Sequence, residues 1–308
     1  MLLFIEQLIN GLQLGVMLFL MSAGLTLVFG IMQVINLAHG SFYMMGAFVA
    51  ATVTIHSGNF MIGMLAGLVV AGIIGMLVEL TILRQLYKRD HLDQVLATFG
   101  LIFFFNELTR IIWGRQPLFM DIPTWLNGTV EIFPGIDYPL YRLAIIIVGI
   151  LVALFLYLLF SRTRLGMQIR AGATNRDIIS ALGVNIKLLY TLVFGLGVML
   201  AALAGVMAGP ILAVEVGMGE SILILTFVVI VIGGIGSVQG ALVGALLVGL
   251  VDTLGRAYLP SILSLLMSSE VGNTLGAPIA AMSIYILMAV ILAFKPNGLF
   301  PVQNRVDS

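Results

Sequence analysis

Few residues in this chain are equipped for chemistry. Its 308 residues include three histidines (His39, His56 and His91), no cysteine, and 14 acidic against 14 basic side chains. Thiolate metal sites, disulfides and cysteine nucleophiles are therefore excluded, and three scattered histidines do not make a metal centre. His39 stands near Ser41, but no neighbouring acid could orient a histidine base, so a serine-type enzyme lacks its third member. Gly233-Gly234-Ile235-Gly236-Ser237 has the composition of a phosphate-cradling loop. A P-loop ends in Gly-Lys-Ser/Thr, however, and the lysines here follow Tyr87, Ile186 and Phe294. The chain has no Walker-type ATPase of its own, and neither a catalytic nor a metal-binding set is expected.

The remaining polar residues stand out because their surroundings are apolar. In Ile35-Asn36-Leu37-Ala38-His39-Gly40, Asn36 and His39 interrupt an apolar region three residues apart. Polar groups at such a place face a protein interior and mark pathways; the plainer reading is a helix cap at Asn36 and one structural hydrogen bond at His39. Glu107 with Arg110 and Asp252 with Arg256 are spaced to meet on one helix face. Mutual neutralisation accounts for both pairs, with a proton relay or solute contact as the sharper alternative. Glu79, before Arg84, pairs with it or lies at an interface.

The longest charged stretch, 161–187, reads SRTRLGMQIRAGATNRDIISALGVNIK. Thr174 followed by Asp177 predicts a helix N-terminus, and Gly183 predicts its stop. Between them Ile178, Ile179 and Leu182 form an apolar stripe, with Arg170 and Arg176 alongside. Such a short amphipathic helix either lies on a membrane surface or fits a groove on a partner protein.

These residues must be positioned by an almost wholly apolar scaffold. The chain is 61% hydrophobic and 9% charged, with 35 glycines and a net charge of zero, which excludes a soluble domain and a basic nucleic-acid-binding surface. An all-α polytopic membrane protein with eight or nine transmembrane helices follows, forming one domain over residues 1–308. Apolar runs of spanning length cover Leu8 to Ile31, Asn36 to Thr54, Phe60 to Leu83, Val95 to Trp113, Leu140 to Phe160, Leu188 to Ala213, Ile222 to Ser237, Ala241 to Tyr258 and Gly276 to Phe294. The N-terminal run reads as part of the mature fold, not as a signal peptide. Arg84, Lys88 and Arg89 in one loop, and the 161–187 basic loop, predict the cytoplasmic side. Lys295 and Arg305 place the C-terminal tail there too, and the proline-punctuated loop 114–139 is exported. The short Met32–Asn36 connection and the short Ile222–Ser237 run predict broken or re-entrant helices, tolerated only against protein or water. Two weakly similar halves are expected, with the break before Gly46-Ala47 matching the one before Gly240-Ala241.

Four segments in order resemble the LivH-type permeases of bacterial ABC importers for branched-chain amino acids. They are Ile35 to Gly40 with Tyr43-Met44-Met45-Gly46-Ala47; Thr163-Arg164-Leu165-Gly166 with Arg170-Ala171 and Ala181 to Asn185; Gly233 to Ser237 with Gly240-Ala241; and Lys295-Pro296-Asn297-Gly298-Leu299-Phe300. Gln239 and Gly172 depart from residues frequent in that family. The resemblance implies a permease in a bacterial inner membrane that pairs with a second permease, with two ATPase subunits consuming the ATP, and with a periplasmic substrate-binding protein. It maps ATPase coupling onto Arg170, Thr174, Asn175, Arg176, Asp177, Ile178, Ala181, Leu182 and Gly183. The translocation path would take Asn36, His39, Gly40, Gly233, Gly234, Gly236 and Ser237, and Glu215 and Glu220 would receive the binding protein. The chain itself would bind no cofactor. A lone secondary transporter or channel is the competing class; its best titrating acid is Asp252.

Overall fold

The computed structural model describes residues 2–87, 89–174, 176–266 and 269–301, without the side chains of Arg176, Asp177, Leu266, Ser269 and Asn273. In hydrocarbon every backbone polar group must be satisfied within its own segment or against protein, and each of the nine apolar runs is accordingly a helix. The order is α1 (Leu2–Met32), α2 (His39–Ser57), α3 (Phe60–Val78), a π-helical turn (Glu79–Leu83), α4 (Arg84–Leu86) and α5 (His91–Trp113). A small antiparallel hairpin follows, β1 (Thr129–Phe133) with β2 (Ile136–Pro139). After it come α6 (Leu140–Arg162), α7 (Arg164–Thr174), α8 (Arg176–Ala181), α9 (Ile186–Ala208), α10 (Met218–Gly233), α11 (Val238–Leu266) and α12 (Ser269–Phe294). Seven helices of the described residues are long and apolar enough to span a membrane: α1, the continuous run Phe60–Leu86, α5, α6, α9, α11 and α12.

The other two, α2 and α10, begin inside the bundle. Gly24 of α1 crosses Gly197 of α9, and a Cβ on Gly24 would stand 2.3 Å from the Gly197 carbonyl oxygen. Gly197 is the twelfth of 23 residues in α9, so this crossing lies at mid-height. His39, the first residue of α2, packs at the same point, its Nε2 2.9 Å from that Cβ position. Beside it Gly40 of α2 meets Gly219 of α10 backbone to backbone: each glycine's Cβ would lie within 2.3 Å of the other's carbonyl oxygen. Both half-helices thus start at mid-height and run to opposite ends.

These reciprocal contacts correct the expected match between the halves. In a two-fold arrangement the same patch meets itself, and here α1 meets α9 and α2 meets α10, while α3 packs on α9 and α11 on α1. The partner of the 33–38 break is therefore 209–217, not the Gly233–Ser237 turn, which joins α10 to α11. The two breaks enter from opposite ends, an inverted repeat.

One end carries Arg84, Arg89, Arg162, Arg164, Arg170 and Lys187. The other carries the 114–139 segment, ordered by its hairpin and by a bridge in which Leu118 and Val214 exchange backbone hydrogen bonds of 2.9 Å. Tyr138 of β2 is buried and its hydroxyl donates to Asn10 Oδ1 at 3.2 Å, fastening the hairpin to α1.

Close glycine crossings make a testable demand. Gly24→Ala should cost about 1–3 kcal/mol through overpacking against backbone that cannot yield. Gly100→Ala, in the exposed interior of α5 with nothing within 4 Å of the new methyl, should stabilise by about 0.5–1 kcal/mol. Thermal unfolding of the two purified variants in detergent checks both signs.

Candidate functional site

The mid-height junction collects polar groups that find no partner. Asn36 and His39 are fully buried, Thr26 is 1% exposed and Ser41 4% exposed. Asn36 Oδ1 accepts from the Ala38 amide at 3.1 Å, so it braces the turn that leads into α2. Its Nδ2 has no partner, and neither does Ser41 Oγ; Thr26 Oγ1, also without one, faces the other side of α1. Neither ring nitrogen of His39 makes a hydrogen bond of good geometry, although the Met21 backbone lies beside it. Folded proteins leave few buried polar atoms unpaired, because each costs its desolvation energy. Several around one junction are a recognition surface in waiting.

The junction is also where two helices start. The N-cap residues are Ala38 for α2 and Gly217 for α10, and no side chain caps either helix. Helix N-termini carry the positive end of a dipole, although here the His39 and Ser41 amides donate to the Asn36 and Ala38 carbonyls, and the Met218 and Glu220 amides to the Glu215 and Gly217 carbonyls. Glu220, in the first turn of α10 itself, accepts from Asn106 Nδ2 of α5 at 2.7 Å. Glu220 Oε2 and Asn106 Oδ1 are buried atoms without partners. The junction therefore combines the positive dipole ends of two helices with bare carboxylate and amide oxygens, groups that suit a solute carrying both signs of charge.

Below the junction, toward the basic end, lies a cavity of about 960 Å³ whose walls include Phe19, Thr26, Tyr157, Arg170, Ser237 and Gln239. Thr26 lines this cavity, and two residues from Gly24 it points to the opposite face of α1 from the crossing.

The path residues expected from the sequence thus divide into two places. Asn36, His39 and Gly40 form the junction. Gly236 and Ser237 line the cavity, about 21 Å away along the 14 residues from Gly219 to Gly233 at 1.5 Å each. Gly233 and Gly234 do another job: Gly233 lets α10 touch Gly240 of α11, and Gly234 packs on the 297–300 backbone. Ser237 Oγ accepts from the Gly240 amide at 3.0 Å and so opens α11. Glu215 is exposed next to the Leu118–Val214 bridge. Glu220, by contrast, is partly buried in the first turn of α10 with its carboxylate turned to Asn106.

In the basic segment, α8 is a six-residue helix closed by Gly183 at φ +85°. Gly183 N–H donates to the Ser180 carbonyl and Val184 N–H to that of Ile179, the paired bonds of a Schellman stop. Ile178 and Leu182 are 57% and 73% exposed, and Ala181 is exposed too. Thr174 differs from expectation. It ends α7, and its hydroxyl donates back to the Arg170 carbonyl at 3.0 Å, because a threonine within a helix reaches the carbonyl one turn behind. Asn175 and the side chains of Arg176 and Asp177 lie outside the described residues. Elsewhere, Glu107 and Arg110 form an exposed ion pair. Asp252, 7% exposed, receives Arg256 Nε on both oxygens at 2.9 and 3.0 Å. Sequence reasoning missed Thr26, Asn106 and Tyr157; only their polarity inside apolar runs marked them.

Residues 7–295 match the family described as branched-chain amino acid transport system, permease component. The chain is 29% identical to the high-affinity branched-chain amino acid transport system permease protein BraD of Pseudomonas aeruginosa, over 96% of this chain and 95% of that one. It is 30% identical to the permease protein LivH of Escherichia coli K12, over 83% of this chain and 87% of that protein. A probable LivH permease of Methanocaldococcus jannaschii is 27% identical over 80% and 79% of the two chains. No solved structure matches. A polytopic helical bundle, matched nearly end to end and broken at mid-height around a polar junction, belongs to the branched-chain amino acid transport permease family and is a permease subunit of an ABC importer.

Proposed function

We propose that this chain is one of two permease subunits, alike or different, that enclose a path for branched-chain or related hydrophobic amino acids across a bacterial inner membrane. The observation that carries the solute class is the junction. The positive dipole ends at the starts of α2 and α10 suit a carboxylate, the bare oxygens of Glu220 and Asn106 suit an ammonium, and the surrounding walls suit an aliphatic side chain. The basic end faces the cytoplasm by the positive-inside rule, which also places Lys295 and the C-terminus there.

Two ATPase subunits dock at that end and use the ATP; this chain contributes no cofactor site. Their contact is α8, where Ile178 and Leu182 project as an apolar ridge for a groove, with Arg170, Thr174, Asn175, Arg176, Asp177, Ala181 and Gly183 setting its position. At the opposite end the hairpin loop and Glu215 receive the exported binding protein. Asp252 is already paired with Arg256, so the junction, not Asp252, is the part that handles solute.

Co-expression with the neighbouring subunits, purification and reconstitution test this reading. The assembled complex should hydrolyse ATP faster when a loaded binding protein is added. A lone chain that moves solute on an ion gradient would overturn it. Leu182→Asp should insert normally yet lose the ATPase subunits on affinity purification, since a charge in a docked apolar ridge costs several kcal/mol. Ser41→Ala removes a buried hydroxyl that nothing satisfies, so its thermal midpoint should stay level or rise, while uptake by the full complex falls.

A further inference from the structure

A second polar cluster, at the basic end, contrasts with the junction: both oxygens of the carboxylate at its centre are filled. Glu79 is fully buried at the start of the π turn. In a regular α-helix residues five apart point some 140° away from each other, but the wider π turn brings them back to one side. Arg84 therefore lies under Glu79, with Nε 3.3 Å from Oε1 and Nη2 3.1 Å from Oε2. The Tyr87 hydroxyl donates to Oε1 at 2.7 Å, and the Thr191 hydroxyl to Oε2 at 2.6 Å. Arg84 donates in turn to Thr191 Oγ1 at 2.8 Å and to the Lys187 carbonyl at 3.4 Å.

The cluster touches the start of α9 and the end of α1, and α9 follows directly on α8. Lys187, Tyr190 and Thr191 are in the first turns of α9, which begins at the Asn185 cap only two residues beyond the Gly183 stop of α8. Tyr87 stands edge-on to Tyr190, with ring centroids 5.4 Å apart. Its hydroxyl also lies 3.7 Å from the sulfur of Met32, the last residue of α1. Gln33 follows with a left-handed φ of 54°, and the chain then climbs to Asn36 and His39. Burial, then the bond to Glu79, push the Tyr87 phenol above its ordinary value, so it remains a donor at physiological pH.

We propose that Glu79 is the positioning residue that carries movement of α8 and the start of α9 to the end of α1 and so to the 33–38 break. This rests on the reading of α8 as the ATPase contact. Stability alone does not call for such a cluster, because a buried ion pair replaced by packed apolar side chains is commonly neutral or stabilising. A carboxylate clamped by Arg84 and Tyr87 on one side and Thr191 of α9 on the other instead ties those parts directly, so that a shift at one is passed to the other.

The test uses the complete complex in proteoliposomes, with uptake and ATP hydrolysis measured on the same preparation. Glu79→Gln and Tyr87→Phe should lower solute moved per ATP about tenfold, the size of an ordinary coupling energy, while hydrolysis with the loaded binding protein persists. Thr191→Ser keeps the hydroxyl and should leave the ratio unchanged; Thr191→Val should lower it. An unchanged ratio in Glu79→Gln and Tyr87→Phe overturns the proposal. So does a parallel fall of uptake and hydrolysis with a lowered thermal midpoint, which marks a merely structural role. If the wild-type complex itself shows no ATP-driven uptake, the importer assembly fails and not the joint.

Discussion

Unwound backbone inside an apolar slab must be walled in by protein, because lipid offers nothing to its free N–H and C=O groups. The rest of this architecture follows from that constraint. Two breaks, 33–38 and 209–217, reach into the bundle, and the helices that precede them, α1 and α9, are the most enclosed of the spanning helices. Within their most apolar stretches, 83% of α1 and 78% of α9 is buried, against 22% of α6 and 11% of α12. Such enclosure needs helices to approach closely. Gly24 with Gly197, Gly40 with Gly219, and Gly11 and Gly15 against Gly249 remove the side chains that would hold them apart. Small residues at crossings drive association in lipid, where burial of apolar surface gives no advantage.

Buried polarity in the chain falls into two kinds, and the difference is informative. Around Glu79 every acceptor is filled, which stiffens that end. Around His39 the partners are missing, which costs stability and leaves the junction open to a ligand that supplies them. Were both clusters structural, the second would be expected to pair up as the first does, since the same apolar surroundings penalise each unmet group.

The secondary structure was legible in the residues because hydrophobic run length dictates it: all nine runs are helices. The burial of Asn36 and His39 and the stop at Gly183 were legible for local reasons, polarity in an apolar run and glycine's freedom at positive φ. What was hidden depends on distance along the chain. Asn106 and Glu220 are 114 residues apart, and nothing local foretells their meeting. The pairing of the halves was misjudged because Gly-Ala dipeptides recur by composition in a chain with 35 glycines. Only reciprocal contact identifies the true partners. The Glu79–Arg84 pair was visible as a possibility, but a π turn leaves no mark in hydrophobic period.

Geometric symmetry here carries chemical asymmetry. The half-helix α2 brings His39 and Ser41 to the junction, and α10 brings Glu220, so the two-fold backbone presents unlike groups to one solute. The attachments are unlike as well. The break before α2 hangs from the end of α1, which the Glu79 cluster ties to α9 and hence to α8 at the basic end. The break before α10 is fastened through Val214 to Leu118, in the loop that carries the hairpin at the other end. Each half-helix is thus anchored to a different end of the protein, α2 to the basic end and α10 to the end that carries the hairpin. A single solute site between them can then be biased independently from either side, which alternating access requires.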